Sequence, residues 1–433
     1  MGIGNDFMYK PLFLNKYGKL PISSRRFMGN EKSEFRNGGL SHRIAFWSLC
    51  CLGFLIPIST VAVTGIIPGF MAGLWLISRN FQQFPALLKD SRVTQLSIAL
   101  FVWLALAGLF GEAGLDSFKF LKKYRELILI PIFIGFTIHM STRERFLICS
   151  ALNIGLLVTL GISLLQIAEI LPLKRGYPAL SSSITQASFM AWGMFWMLHQ
   201  YRQTKSVKWM IGALGAAINS TLIMHSSTGI LLVLVMLGLF GLQTMRGMKF
   251  VATITITCAV FFGGYMSIDR FKMELDESIG VGMKILNGEH VGQNQLVSWA
   301  ESSTGERYQF VSNGAKLFLQ CPLVGYGTGS VEQQYDKFIS GTDFKRTTNL
   351  HNEYLMIGVQ SGAVGIFLLI GVFWAMVTTG TYIGTTERWL VQGIVIWMAV
   401  GCLVNSFLLD AKEGMMFALL TAVLCAPKFE KNQ

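Results

Sequence analysis

Residues 44–78 read IAFWSLCCLGFLIPISTVAVTGIIPGFMAGLWLIS, a run with no Asp, Glu, Lys or Arg. At 1.5 Å per residue a single helix of this length would reach about 52 Å, far beyond the roughly 30 Å hydrocarbon layer of a bilayer. The run therefore predicts two membrane spans joined by a tight hairpin near Ser59–Gly65. Outward from it the pattern repeats. Apolar stretches recur at 93–110, 126–140, 146–168, 184–199, 209–223, 228–243, 250–268, 354–378, 389–409 and 413–426. Together they predict an all-α polytopic membrane protein of about twelve transmembrane helices. Composition agrees: 52% of residues are apolar and 14% charged, against about 25% charged in a soluble domain, and the mean hydropathy is +0.49.

Lys and Arg in the connections set the direction, because cytoplasmic loops carry the excess. With the N-terminus inside, the inner connections hold 21 of them and the outer ones 15. Eight of the outer ones lie in the long segment 269–353, and long loops cross regardless of charge. The expected order is a basic cytoplasmic tail (1–43), spans one to nine (44–268), a large helical external loop (269–353), spans ten to twelve (354–426) and a cytoplasmic C-terminus (427–433). The tail lacks the apolar core of a cleavable signal peptide. The net charge of +12 is then a consequence of topology and does not point to nucleic acid. Of seven cysteines only Cys321 lies outside an apolar stretch, so neither a disulfide framework nor a zinc cluster is expected.

The spans are almost devoid of ionisable residues, which disfavours an ion-coupled carrier. No Gly-rich phosphate loop ending in Gly-Lys-Ser or Gly-Lys-Thr occurs, and Gly325-Tyr-Gly327-Thr-Gly329, which follows Pro322, reads as a turn. Chemistry is expected in the loop 269–353, whose eleven acidic and eight basic residues are mixed in order, as in a folded cap. Within it, Phe310, Gly314, Leu317 and Cys321 fall near one helical face that Pro322 ends, and a second short helix is expected from about Val331 to Ile339. His351 follows at the mouth of span ten. A lone histidine there is usually a cap, but a neutral imidazole is also the usual base for a hydroxyl near neutral pH. Arg307, one loop away, has the fork geometry that suits a phosphate. A second external cluster, Lys119, Lys122, Lys123 and Arg125, reads either as an interfacial helix snorkelling to anionic lipid or as the partner of a lipid diphosphate. Lys174 and Arg175 form a smaller external pair of the same kind.

Gly305-Glu-Arg307, the turn Pro322-Leu-Val-Gly-Tyr-Gly-Thr-Gly329 and Leu350-His351-Asn-Glu-Tyr-Leu355 with Gly362 and Gly365 resemble the O-antigen ligase family of bacterial inner-membrane glycosyltransferases, related to O-antigen polymerases and O-oligosaccharyltransferases. The resemblance implies a multi-pass inner-membrane enzyme that moves a glycan from undecaprenyl diphosphate to a sugar hydroxyl of lipid A core at the periplasmic face. It implies Arg307 and His351 as essential residues, and Arg125, which ends an external Lys-Tyr-Arg, as facing the lipid-linked donor. No metal or cofactor is implied if cations carry the leaving diphosphate's charge. The expected assignment is therefore His351 as base, with Arg307, Arg125, Lys123, Lys122 and Arg175 as electrostatic partners of the donor. A polymerase using the same donor is the alternative, and a protein O-oligosaccharyltransferase or a lipid-linked oligosaccharide flippase are weaker ones. One departure is plain: many members carry Arg where this chain has Ser227, in His225-Ser-Ser227-Thr-Gly229.

Overall fold

A computed structural model describes residues 39–114, 116–173, 177–224, 226–245, 303–380 and 384–426, with Gly247, Thr255 and Asp276. All its regular elements are helical. The decisive run folds as two helices, α1 (Leu40–Ile58) and α2 (Val61–Ile77), parted at Ser59–Thr60. Arg79, with φ 57°, then turns the chain through 80° into Asn80–Gln83 and α3 (Phe84–Asp90). The chain continues through α4 (Arg92–Phe110), a short α5 (Asp116–Leu121), α6 (Glu126–Thr137), α7 (Thr142–Ile167), α8 (Ser183–Thr204), α9 (Val207–Ile218) and α10 (Ser227–Thr244). Beyond residue 302 come α11 (Ser303–Gln320), α12 (Val331–Phe338), α13 (Glu353–Gly380), α14 (Thr385–Val404) and α15 (Ala411–Cys425).

Six of these helices are long and apolar enough to cross a membrane, and the bent pair Val61–Ile77 with Asn80–Asp90 would make a seventh. Helices occupy every apolar stretch of the sequence except 250–268, which apart from Thr255 lies outside the described residues, as does the segment 269–302 apart from Asp276. The stretch expected at 389–409 is shorter at its end than its hydropathy implies. α14 stops at Val404, and Asn405–Asp410 form a loop.

The centre of the bundle is α15, buried from Lys412 through Cys425, beside α8, buried from Gln186 through Gln200. A helix that is apolar all round belongs in such a position. Around them, α1 lies along α7 so closely that a side chain on Gly155 would strike the Phe54 carbonyl, and one on Gly53 would sit 3.2 Å from that of Ile148. Without a hydrophobic drive between lipid-bathed helices, such small-residue contacts hold them by dispersion. At the other end of α6 from Glu126, Arg145 donates Nε to the Thr137 carbonyl and Nη1 to that of Ala426, each at 3.1 Å. One guanidinium thus satisfies the terminal carbonyls of both α6 and α15.

The Gly-rich segment is a turn, as its composition predicts, and it docks into a break in α13. At Gly362 (φ 70°) the backbone leaves helical geometry, freeing polar groups that must find partners. The turn supplies them: Tyr326 N–H donates to Val359 O (2.8 Å), Gly327 N–H to Gln360 O (2.9 Å), and Pro322 O accepts from Ala363 N–H (2.7 Å). From α4, Trp103 Nε1 donates to Ser361 O at 2.8 Å, and the end of α4 at Gly111 touches Gly327 directly. The break therefore locks the 322–329 turn, α4 and α13 together beneath the segment that carries His351.

Candidate active site

The segment 347–353 is shaped by its own side chains. Asn349 Oδ1 accepts the His351 N–H (2.9 Å) and the Ser406 hydroxyl (2.7 Å). This closes a turn that leaves His351 at φ 51°. A non-glycine residue in that region costs about 1–2 kcal/mol and, when retained, points to function. Asn352 then caps α13, its Oδ1 accepting the Leu355 N–H at 3.0 Å, as short polar side chains do at a helix start. Glu353 is fully buried and accepts from three donors: Leu408 N–H (3.1 Å), Leu409 N–H (3.0 Å) and the Tyr124 hydroxyl (3.1 Å). Burial, and then the Glu353 charge, hold that phenol protonated, well above its ordinary range. Glu353 therefore ties the loop 405–410 and the basic segment 119–125 to the start of α13.

The His351 ring is stacked on Phe310 at 6.1 Å and 19°. Its Nδ1 lies 3.1 Å from Asn405 Oδ1, and Asn405 Nδ2 donates to Asp410 Oδ2 at 3.2 Å. The order is set by charge: the amide must turn its N–H to the carboxylate, so its oxygen faces the imidazole and Nδ1 carries the proton. Nε2 is left as an acceptor. Burial, and also the charge of Arg307, push the imidazole below its ordinary pKa of 6.5, against the bond from Asn405 and the Glu306 carboxylate. His351 is thus neutral near pH 7 and able to take a proton. Burial lifts the Asp410 carboxyl above its usual range, opposed by Lys123.

Asp410 also lines a cleft of about 350 Å³, together with Val61, Lys119, Lys122, Lys123, Arg125, Glu126, Thr348, Asn349, Leu409 and Ala411. Its volume falls in the range of small-molecule sites, on the order of 300–1,000 Å³. Lys119 pairs with Asp116 at 2.7 Å, and Arg125 Nε lies 3.3 Å from the buried Glu126. Lys123 rests on the Phe120 ring at 4.4 Å.

The structure thus brings Lys122, Lys123 and Arg125 into one cleft, and sets His351 behind its wall, joined to it by Asn405 and Asp410 on one side and Asn349 on the other. Arg307 and His351 feel one another electrostatically, with Phe310, one helical turn from Arg307, against the imidazole. Arg307 is not part of the cleft wall; its α11 neighbour Glu306 is ion-paired to Lys345. Lys174 and Arg175 lie outside the described residues, as does His225, and Ser227 is exposed at the first turn of α10. Among the described residues no group of three or more His, Cys, Asp or Glu converges to hold a metal ion.

Asn405, Asp410 and Glu353 have no role in the sequence reading. Asn405 was hidden because it falls inside an apolar stretch, yet an Asn and an Asp five residues apart at a span end are costly in a membrane, and that cost was the available signal.

The fold and this site define a helical multi-pass membrane protein with a histidine beside a cationic cleft. The family model described as O-antigen ligase matches residues 212–370. The match takes in Ser227, Arg307, the Pro322–Gly329 turn, His351 and Gly362. No curated protein matches the chain.

Proposed function

We propose that the protein is an O-antigen ligase, transferring glycan from undecaprenyl diphosphate to a sugar hydroxyl of lipid A core at the periplasmic face of the bacterial inner membrane. Twelve spans, with both termini cytoplasmic and the segment 269–353 periplasmic, put the cleft on that face. The observation that carries the reading is a neutral His351, oriented by Asn405 and Asp410, next to a cleft walled by Lys122, Lys123 and Arg125. In the reaction, His351 Nε2 takes the acceptor hydroxyl proton as that oxygen bonds to the anomeric carbon. The bond from that carbon to the diphosphate oxygen breaks, and the charge left on the diphosphate falls to the cleft's cations, whose fixed placement needs no reorganisation. Arg175 is proposed for the same anion. Arg307 keeps the imidazole unprotonated and adds positive potential on the acceptor side. Holding both lipids in one site supplies orientation.

The test is a lipopolysaccharide ladder from a strain lacking this gene. Loss of all O-antigen from lipid A core, with long glycan retained on undecaprenyl diphosphate, is the expected result. Core bearing a single repeat would make the protein an O-antigen polymerase, and an unchanged ladder would sink both readings.

A further inference from the structure

A belt of polar side chains containing no Lys or Arg leads away from the cleft into the bundle. It starts at Glu413, one turn along α15 from Asp410, with the Glu413 carboxyl beside the Thr185 side chain. Thr185 Oγ1 lies 2.7 Å from Ser182 Oγ at the start of α8. One turn on, Gln186, 1% exposed, donates Nε2 to Ser163 Oγ (2.7 Å) and Asn219 Oδ1 (3.2 Å). Asn219 opens a π-helical turn, Asn219–Ile223, a distortion that often marks a functional position. The first turn of α10 packs on it so tightly that a side chain at Gly229 would lie 2.8 Å from the Ser220 carbonyl, which brings Thr228 beside the turn. Tyr177 closes the end of the belt against Ala179, Ala187 and Met224.

Four polar atoms along this belt are buried without a hydrogen-bond partner: Ser181 Oγ, Asn219 Nδ2, Thr228 Oγ1 and Glu413 Oε1. Native structures leave few such groups, and each calls for an explanation. Here they include a donor amide, a carboxyl oxygen and two hydroxyls, a set that complements sugar hydroxyls, which donate and accept alike. No Lys or Arg occurs from Tyr177 to Tyr201 or from Asn219 to Thr228, so the belt is unsuited to a phosphate.

We propose that this belt, with Tyr177 at its rim, is a subsite for the uncharged sugar units of the donor glycan nearest the diphosphate. The inference rests on the ligase reading for the identity of the donor: with the diphosphate in the cleft, the first sugars must lie beside it, and the belt begins at the cleft's edge.

The variants are Thr228→Val and Ser181→Ala in the full-length protein in lipid nanodiscs. Each removes a buried hydroxyl that bonds nothing in the empty protein, so a purely structural role predicts unchanged or higher thermal stability and unchanged binding. The measurement compares affinity for lipid-linked glycan extracted from a strain lacking this gene with affinity for sugar-free undecaprenyl diphosphate. Thr228→Val is expected to weaken the glycan-bearing lipid about tenfold, the value of one hydrogen bond, with Ser181→Ala in the same direction and sugar-free lipid binding unaltered. Equal affinity of both variants and wild type for the glycan-bearing lipid would overturn the subsite, as would parallel weakening of both lipids. Wild type that binds neither lipid would instead sink the ligase reading on which it rests.

Discussion

His351→Ala is expected to lower glycan transfer by about 10²–10⁴-fold, the usual worth of a positioned acid–base group, without reducing the amount of protein in the membrane. The ring is half-buried and makes one side-chain hydrogen bond, to Asn405, and one stacking contact, to Phe310. Its removal takes away no core contact on which α13 depends. The strained φ of 51° even predicts that a glycine at this position would relax the backbone. His351→Gly should therefore be as well folded as wild type and as inactive as the alanine variant. Transfer by purified protein under single-turnover conditions reads this directly, since product release is then excluded. A variant that keeps the wild-type rate at neutral pH would remove His351 from the chemistry.

The second large effect is structural. Gly362→Ala is expected to destabilise the protein by about 3 kcal/mol or more, adding the cost of a positive φ for a residue with a Cβ to a clash with the Leu323 carbonyl. The clash is with backbone on a turn held by three backbone hydrogen bonds to α13, so it cannot be relieved by a side-chain rotation. Stabilities of native proteins are only about 5–15 kcal/mol in total, so a large loss of folded protein from the membrane follows. Gly371→Ala, in the same helix, supplies the comparison: its Cβ would meet only the Leu96 side chain at an ordinary 3.4 Å, and helix propensity favours alanine there. Thermal unfolding of the two variants in detergent, followed by size-exclusion profiles, checks the difference. Equal stability of the two would mean that the break in α13 is not held by the turn.

Much of this architecture is legible in the residues because a bilayer imposes a simple rule on hydropathy. The hairpin at Ser59–Thr60, the helix ended by Pro322 and the turn at Gly325–Gly329 all follow from local chemistry and stand where the sequence puts them. The basic residues 119–125 were likewise visible, since cations in a connection expected on the outer side of a membrane protein need a reason. What the sequence conceals are the partners brought together by tertiary packing. Asn405 and Asp410 sit 54 and 59 positions beyond His351, at the end of an apolar stretch that reads as uninterrupted span. Glu353 was quoted as part of a motif, but its bonds to Tyr124 and to Leu408 and Leu409 depend on three segments far apart in the chain. The polar belt at α8 and α10 is hidden for the same reason, because Gln186, Asn219 and Thr228 are each unremarkable alone.

The central claim, that a neutral His351 is the base of a transfer reaction driven from a cationic cleft, is tested most directly by the pH dependence of kcat/KM for the wild type and for Arg307→Gln. This parameter reports the free protein. Transfer requires the unprotonated imidazole, so the rate must fall on the acid side, and burial together with Arg307 sets the midpoint below 6.5. Removing the Arg307 charge takes away one of the two influences that lower that pKa, so the acid limb of Arg307→Gln moves to higher pH, whatever happens to the maximum rate. An acid limb that stays in place in Arg307→Gln, or a wild-type profile whose acid midpoint lies at or above 6.5, would contradict the account.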